Sequence, residues 1–314
     1  MTTTGGLEAP VWGGFDPARA ERDRSGRWPA FLTSVRLGWQ VEANWTDPFL
    51  FFIYSVAKPL SATLILVVMI DIISGGGAGP YRAFVVVGTA LWSIVLSGLS
   101  GLAWTILDDR ERYRMLKYVY VSPSDFLMHL VGRSIARLAV GVMGAIITII
   151  IGVLLLGVPI SLEKVDVPLL LADIVGGLWV ILAIGTVLGA VSLQTRQESW
   201  QYPEAMAGAL FLISGAVFPL SVLPAPMQAV GLAGPLTWWI EGFRHAVFPG
   251  GPSGVGGPGS VWEGVTGTAA PDPAIIVGAL LATGALVTLA AIGVFRVSER
   301  RAKERGLLDQ TTGS

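Results

Sequence analysis

The chain has no cysteine in 314 residues and only two histidines, His129 and His245. Without a thiol it can form no disulfide, no cysteine nucleophile and no thiolate-ligated metal site. No HExxH, nucleophile elbow, phosphate-binding loop or clustered metal-ligand pattern occurs. Catalysis by this chain alone is not expected, and each histidine reads as structural or solvated. The missing phosphate loop matters most, because any ATP-driven work must then be done by another chain. Charge is also scarce, at 14% of residues with a net charge of −1, and nothing calls for a nucleic-acid partner. A cleavable signal peptide is not expected, since the first 30 or so residues hold charges, Gly and Pro without an apolar core.

Apolar residues fill that space. They make up 53% of the chain, and the mean hydropathy is +0.65, above ordinary soluble domains. Each membrane crossing needs about 20 mostly apolar residues. The candidates are Phe49–Ile72, Phe84–Leu107, Ile135–Gly157, Pro168–Leu193, Pro203–Leu220 and Ala274–Phe295. The expected fold is therefore an all-α polytopic membrane protein of six spans. Its expected divisions are a disordered 1–27, an interfacial helix over 28–46, the six-span domain over 47–297 and a tail over 298–314. Gly141 with Gly144, Gly185 with Gly189, and Gly278 with Ala282 would let helices approach closely.

The basic residues cluster at alternate loops. Arg19, Arg22, Arg24, Arg27 and Arg36 precede the first span, and Arg110, Arg112, Arg114, Lys117, Arg133 and Arg137 fall between the second and third. Arg196 follows the fourth, and Arg296, Arg300, Arg301, Lys303 and Arg305 follow the sixth. The opposite side has Arg82, Lys164 and Arg244. The positive-inside rule then makes both termini cytoplasmic, in agreement with an even span count.

Between Trp28 and Trp45, Leu32, Val35 and Trp39 recur at helical spacing, as an amphipathic helix on the inner leaflet would require; a plain surface helix is the alternative. Asp47 and Pro48 supply a cap and a first turn for the first span. Asp108 to Pro123 is the longest charged run between spans and should be helical. At about 100° per residue, Tyr113, Met115, Leu116, Val119 and Tyr120 share one arc, with Arg110, Arg114, Lys117 and Tyr118 opposite. Pro123 would stop this helix and Ser124 cap the next. An ordinary basic loop is the alternative.

Phe211 to Arg244 carries the most information. An apolar span breaks at Pro219, Pro224 and Pro226, then resumes and closes on Glu241 and Arg244. A segment that enters the bilayer twice from one side is tolerated only where protein or a water-lined cavity satisfies its freed backbone groups. Glu241 and Arg244 can pair along one helical face as a clasp, while Trp238 and Trp239 suit an interfacial belt. Lys58 is the clear ionisable group inside a span. It either lines a substrate pathway or snorkels and packs.

These residues together resemble the permease subunits of ABC-2 type transporters, over most of residues 28–300. The resemblance rests on the helix before the first span, the charged segment ending in Val121, Ser122 and Pro123, and a late signature. That signature is Ser214, Gly215, Phe218, Pro219, Leu223, Pro224, Pro235, Leu236, Thr237, Glu241, Gly242 and Arg244. The family often has an acidic residue followed by Gly-Thr-Leu in the charged segment, where this chain has Glu111, Arg112, Tyr113, Arg114, Met115 and Leu116. Subgroup assignment is left open by that departure.

The resemblance implies an ATP-binding cassette exporter core of two permeases, expected as a homodimer, and two cytosolic ATPase subunits, in the cytoplasmic membrane of a prokaryote. This chain would bind no cofactor; ATP and Mg would sit in the partner ATPase. Arg110, Glu111, Arg112, Tyr113, Arg114, Leu116 and Lys117 would form the ATPase-coupling segment. Pro219, Pro224, Pro235, Glu241 and Arg244 would frame an outer re-entrant gate, and the second and fifth spans would line the dimer interface and pathway. The implied cargo is an amphipathic, drug-like or lipid-like molecule. Alternatives are a lipid-linked polysaccharide and, from another class, an ion-coupled transporter or channel.

Overall fold

The computed structural model describes residues 17–44, 48–75, 79–121, 125–160, 162–195 and 201–306. The side chains of Lys58 and Lys117 fall outside the described set, as do Asp47, Pro123 and Ser124. All regular structure among the described residues is helical.

The first helix, α1, runs Pro17–Asn44, so regular structure begins before Trp28. Next come α2 (Pro48–Ile73) and α3 (Gly79–Leu107). A π-helical turn, Asp108–Arg112, extends α3 and leads to the short α4 (Leu116–Val121). Two long helices follow, α5 (Phe126–Leu156) and α6 (Val167–Gln194), with a 3-10 turn at Leu162–Lys164 between them. The chain continues through α7 (Gln201–Ile213), a 3-10 turn at Leu220–Val222, α8 (Ala225–Ala233), α9 (Pro235–Val247), α10 (Val261–Thr266) and α11 (Pro273–Glu304).

Among the described residues, four helices are long and apolar enough to cross a membrane: Tyr81–Arg112, Phe126–Leu156, Val167–Gln194 and Pro273–Glu304. The first expected span corresponds to α2, whose described apolar stretch is Leu60–Ile73. The fifth expected span, Pro203–Leu220, is not one helix. Its helix α7 stops after 13 residues, about 20 Å at 1.5 Å per residue, against a hydrocarbon core of about 30 Å. The cause is local: Gly215 has φ of 71°, a left-handed terminator open to glycine, and Pro219 follows.

The charged segment also departs from a continuous helix. Arg114 takes φ of 51°, the one non-glycine left-handed residue among those described, and the chain turns there between the π turn and α4. The predicted arcs of Asp108 to Pro123 therefore do not form. The cap on α5 is Asp125, whose Oδ1 accepts from the Met128 N–H at 3.0 Å.

At the centre stands α3. Its Leu91, Val95 and Leu99 are buried with Leu138 of α5 and with Val180 and Ile181 of α6. The small residues allow this: a Cβ on Gly98 would meet the Ile181 side chain at 2.1 Å, and one on Gly185 would meet the Gly98 carbonyl at 2.9 Å. Gly278, by contrast, faces open space. Against α6 also pack α9 and α11, and α1 lies across the start of α5. One end of the bundle, called the basic end below, carries the π turn, α4, the start of α5 and the close of α11. The far end carries α8, α9 and α10.

Candidate functional site

At the basic end, three elements meet in a charge network. The Arg133 guanidinium on α5 donates to Asp109 Oδ1 in the π turn, and Arg137 donates to Glu42 of α1 at 3.1 Å and to Asp108 at 3.0 Å. Ser34 of α1 bonds His129 Nδ1 at 2.8 Å, and His129 Nε2 lies 3.9 Å from Asp109 Oδ2. Asp109, His129 and Arg133 are all buried. Charges taken from water are kept only with partners, so this cluster fixes the register of α1, α3 and α5 to one another. Sequence reasoning missed it as a unit. The signal was present in the adjacent Asp108–Asp109 pair and in Arg133–Arg137 at i, i+4.

The expected coupling residues divide across this network. Arg110 is buried and donates to the Ser192 and Thr195 carbonyls at 3.3 and 3.1 Å. It fastens the π turn to the C-terminal end of α6 instead of facing outward. Glu111 is half-buried and accepts from Arg110 at 3.2 Å. Arg112, Tyr113 and Arg114 are exposed, with the Arg112 and Arg133 guanidinium carbons 5.6 and 5.8 Å from the Tyr113 ring centroid. Leu116 is buried among Leu102, Ile106, Phe126 and Phe295. Tyr113 and Leu116 therefore do not anchor one helix face: the first sits in the break, the second in the core.

At the far end, α9 runs antiparallel to α6. The Asp166 N–H bonds the Ala246 carbonyl at 2.9 Å, a Cβ on Gly242 would meet Asp173 at 2.1 Å, and one on Gly177 would meet the Trp239 ring at 1.9 Å. From Asp166 to Gly177 is about 16 Å along the helix, so α9 penetrates roughly to mid-bundle before α8 turns back. Trp238 and Trp239 are 5% and 1% exposed. They are packing residues here and not an interfacial belt, because the helix that carries them is enclosed by α6, α11 and α3.

The prolines start helical segments more than they break them. Pro219 precedes the 3-10 turn, Pro224 precedes α8, and Pro235 opens α9, where its missing N–H costs nothing. Between α7 and α8 the backbone is irregular and buried, and Arg244 satisfies it. Its guanidinium donates to Gly215 O at 2.7 Å, to Ala216 O, and to Phe84 O of α3 at 3.2 Å. The same group lies over the Phe84 ring, 3.4 Å from its centroid.

Glu241 forms no ion pair with Arg244. It accepts instead from Ser253 Oγ and from the Gly254 N–H, the latter at 2.7 Å, and Gly254 O accepts from Leu220 N at 2.7 Å. The clasp is real but indirect: one residue holds the turn after α7, its neighbour holds the loop after α9, and that loop closes on the turn. Lys58 lies on α2, with its side chain outside the described residues. Asp173 is buried, with neither carboxylate oxygen hydrogen-bonded.

No metal-binding group of three or more His, Cys, Asp or Glu residues occurs among the described residues. No curated protein matches the chain. The family model of the ABC-2 type transporter matches residues 32–248, from within α1 to the residue just after α9, and so takes in both the charge network and the α8–α9 pair. Its permeases generally work with an ATPase subunit and generally lack catalytic activity of their own. By that match the chain is a membrane protein of the ABC-2 type transporter family, the permease subunit of an ABC transporter.

Proposed function

We propose that this permease, as a homodimer, exports an amphipathic drug-like or lipid-like molecule, driven by cytosolic ATPase subunits that hold ATP and Mg. In this reading the basic end and both termini are cytoplasmic, in the inner membrane of a prokaryote, and the far end is the exit. The family supplies the permease role; the direction and cargo are our inference.

One observation carries the coupling step. Arg112, Tyr113 and Arg114 project from a turn whose root is locked: Asp109 and Arg110 are buried and bonded to α5 and α6, and Asp108 through Arg137 reaches α1. A push on the tip cannot dissipate in a flexible loop. It moves α1, α3 and α5 together, and nucleotide shifts the permease between two arrangements only through its different affinity for them. Arg112, Arg114 and Lys117 supply charge for docking, with Glu111 at the edge.

The test is a permease with Arg112, Arg114 and Lys117 each changed to Glu, reconstituted with its ATPase. Loss of substrate-stimulated ATP hydrolysis with an unchanged thermal midpoint supports the reading. Unaltered transport and ATPase coupling would refute it. The described Trp92 and Trp104 are engaged with Phe211 at 4.8 Å and with Arg137 at 5.7 Å, and no aromatic ladder occurs among the described residues, which supports an amphiphile over a polysaccharide. One observation favours a second reading: the unpartnered Asp173 is the kind of intramembrane acid that ion-coupled transporters use. Uptake driven by a proton gradient without ATP would select that alternative.

A further inference from the structure

A cavity of about 620 Å³ opens at the far end, between the start of α3, the end of α5, the 3-10 turn at Leu162–Lys164 and the close of α9. Its lining has two characters. Phe84, Val247 and Phe248 contribute apolar groups, while Arg82, Lys164, Arg244 and His245 bring positive or protonatable ones. Glu241 is the acidic residue among the described lining, and its two oxygens are already taken by Ser253 and Gly254.

The polar groups left unmet around this cavity are all donors. Arg82 spends one terminal nitrogen on both oxygens of Asp71 at 2.9 Å and the other on Leu156 O at 3.2 Å; its Nε–H is buried with no partner. Arg244, 4% exposed, spends both terminal nitrogens on backbone carbonyls, and its Nε–H is likewise buried and unpartnered. Lys164 is exposed at the rim and makes no ion pair among the described residues. Arg82, although paired with Asp71, keeps a side chain 31% exposed, and with the Lys164 ammonium it favours an oxyanion over any neutral acceptor.

The geometry points to a binding site for an anionic amphiphile, its phosphate-like headgroup held by Lys164 and Arg82 and its apolar body against Phe248. This rests on the permease reading above and names the chemical class of its cargo. The site lies outside the Arg244 clasp proper, so a ligand there bears on the loop that seals the turn after α7.

The test uses the full-length permease in nanodiscs of neutral lipid, titrated calorimetrically with octyl phosphate, octyl glucoside and inorganic phosphate. No ATPase is present, so the outcome is independent of whether the opposite end couples to one. Saturable binding of octyl phosphate is expected, weakened about tenfold or more by Lys164→Glu and by Arg82→Gln, as loss of a charge-assisted contact implies. Octyl glucoside should bind at least about tenfold more weakly for the same reason. Thermal midpoints within a few degrees of the parent show that the variants fold; should Arg82→Gln fail this, Lys164→Glu, at the exposed rim, carries the test. Equal binding of the two amphiphiles, or octyl phosphate binding unchanged by Lys164→Glu, overturns the proposal. Inorganic phosphate binding as tightly as octyl phosphate overturns it too, leaving a site for a free anion.

Discussion

Replacing Arg244 with Met keeps the length of the side chain and removes what holds the turn after α7. The guanidinium is 4% exposed and is the donor to the Gly215 and Ala216 carbonyls, which no helix satisfies. A hydrogen bond to a charged group contributes about 1.5–3 kcal/mol, and each orphaned buried acceptor costs in the same range. Two such carbonyls give about 3–6 kcal/mol. Phe84 O adds little, since it lies within α3. Glu241 loses its nearby counter-charge while still 3% exposed, which adds to the penalty. The expected loss is therefore about 4 kcal/mol or more, comparable to the whole stability of a marginal domain. At about 2–4 °C per kcal/mol, the apparent melting midpoint in detergent should fall by about 10 °C or more.

Two comparisons separate this mechanism from a simple packing defect. Arg244→Lys keeps the charge but not the planar fork, so it cannot reach both carbonyls and Phe84 at once; it should lose about half as much. Glu241→Gln added to Arg244→Met should cost less than the sum of the single variants, because the acid no longer sits buried without a counter-charge. A midpoint for Arg244→Met within 1 °C or so of the parent would refute the argument, as would strict additivity in the double variant.

Gly88→Ala should abolish folded yield in fluorescence-detected gel filtration, because its Cβ would meet the Ala216 carbonyl at 1.8 Å, backbone against backbone. At the basic end, Asp109→Asn removes the carboxylate that accepts from buried Arg133 and should cost about 1.5–3 kcal/mol. Glu42→Gln, whose pair with Arg137 is 21% and 23% exposed, should cost under about 1 kcal/mol and be masked by salt; equal losses in thermal unfolding would contradict the burial argument. The absence of native cysteine permits a topology test by single substitution. Val222→Cys and Val265→Cys, at positions 71% and 81% exposed, should react with an impermeant maleimide on intact cells, and Tyr113→Cys only after lysis. The reverse pattern would invert the proposed orientation.

Much of the architecture was legible because the bilayer reads sequence crudely. Long apolar runs had to be helices with their backbone groups satisfied internally, and α3, α5, α6 and α11 follow from that alone. The proline pattern after Phe211 marked where the apolar run divides into the short helices α7, α8 and α9. Periodicity failed in the segment from Asp108 to Pro123. It assumes an unbroken helix, whereas the pull of Arg133 on Asp109 and of the α6 terminus on Arg110 leaves Arg114 to make the turn.

Sequence by itself determined that this chain lies in a membrane, where its helices run and which segment breaks. The partners of its charged residues were decided by tertiary structure alone. Glu241 and Arg244 stand three residues apart and suggest each other, yet each serves a different loop, because unmet backbone groups in a buried turn outweigh an ion pair that neighbours along one helix could make. Which carbonyls go begging depends on where Gly88 lets the turn approach α3, and a spacing of more than a hundred residues carries no trace of that.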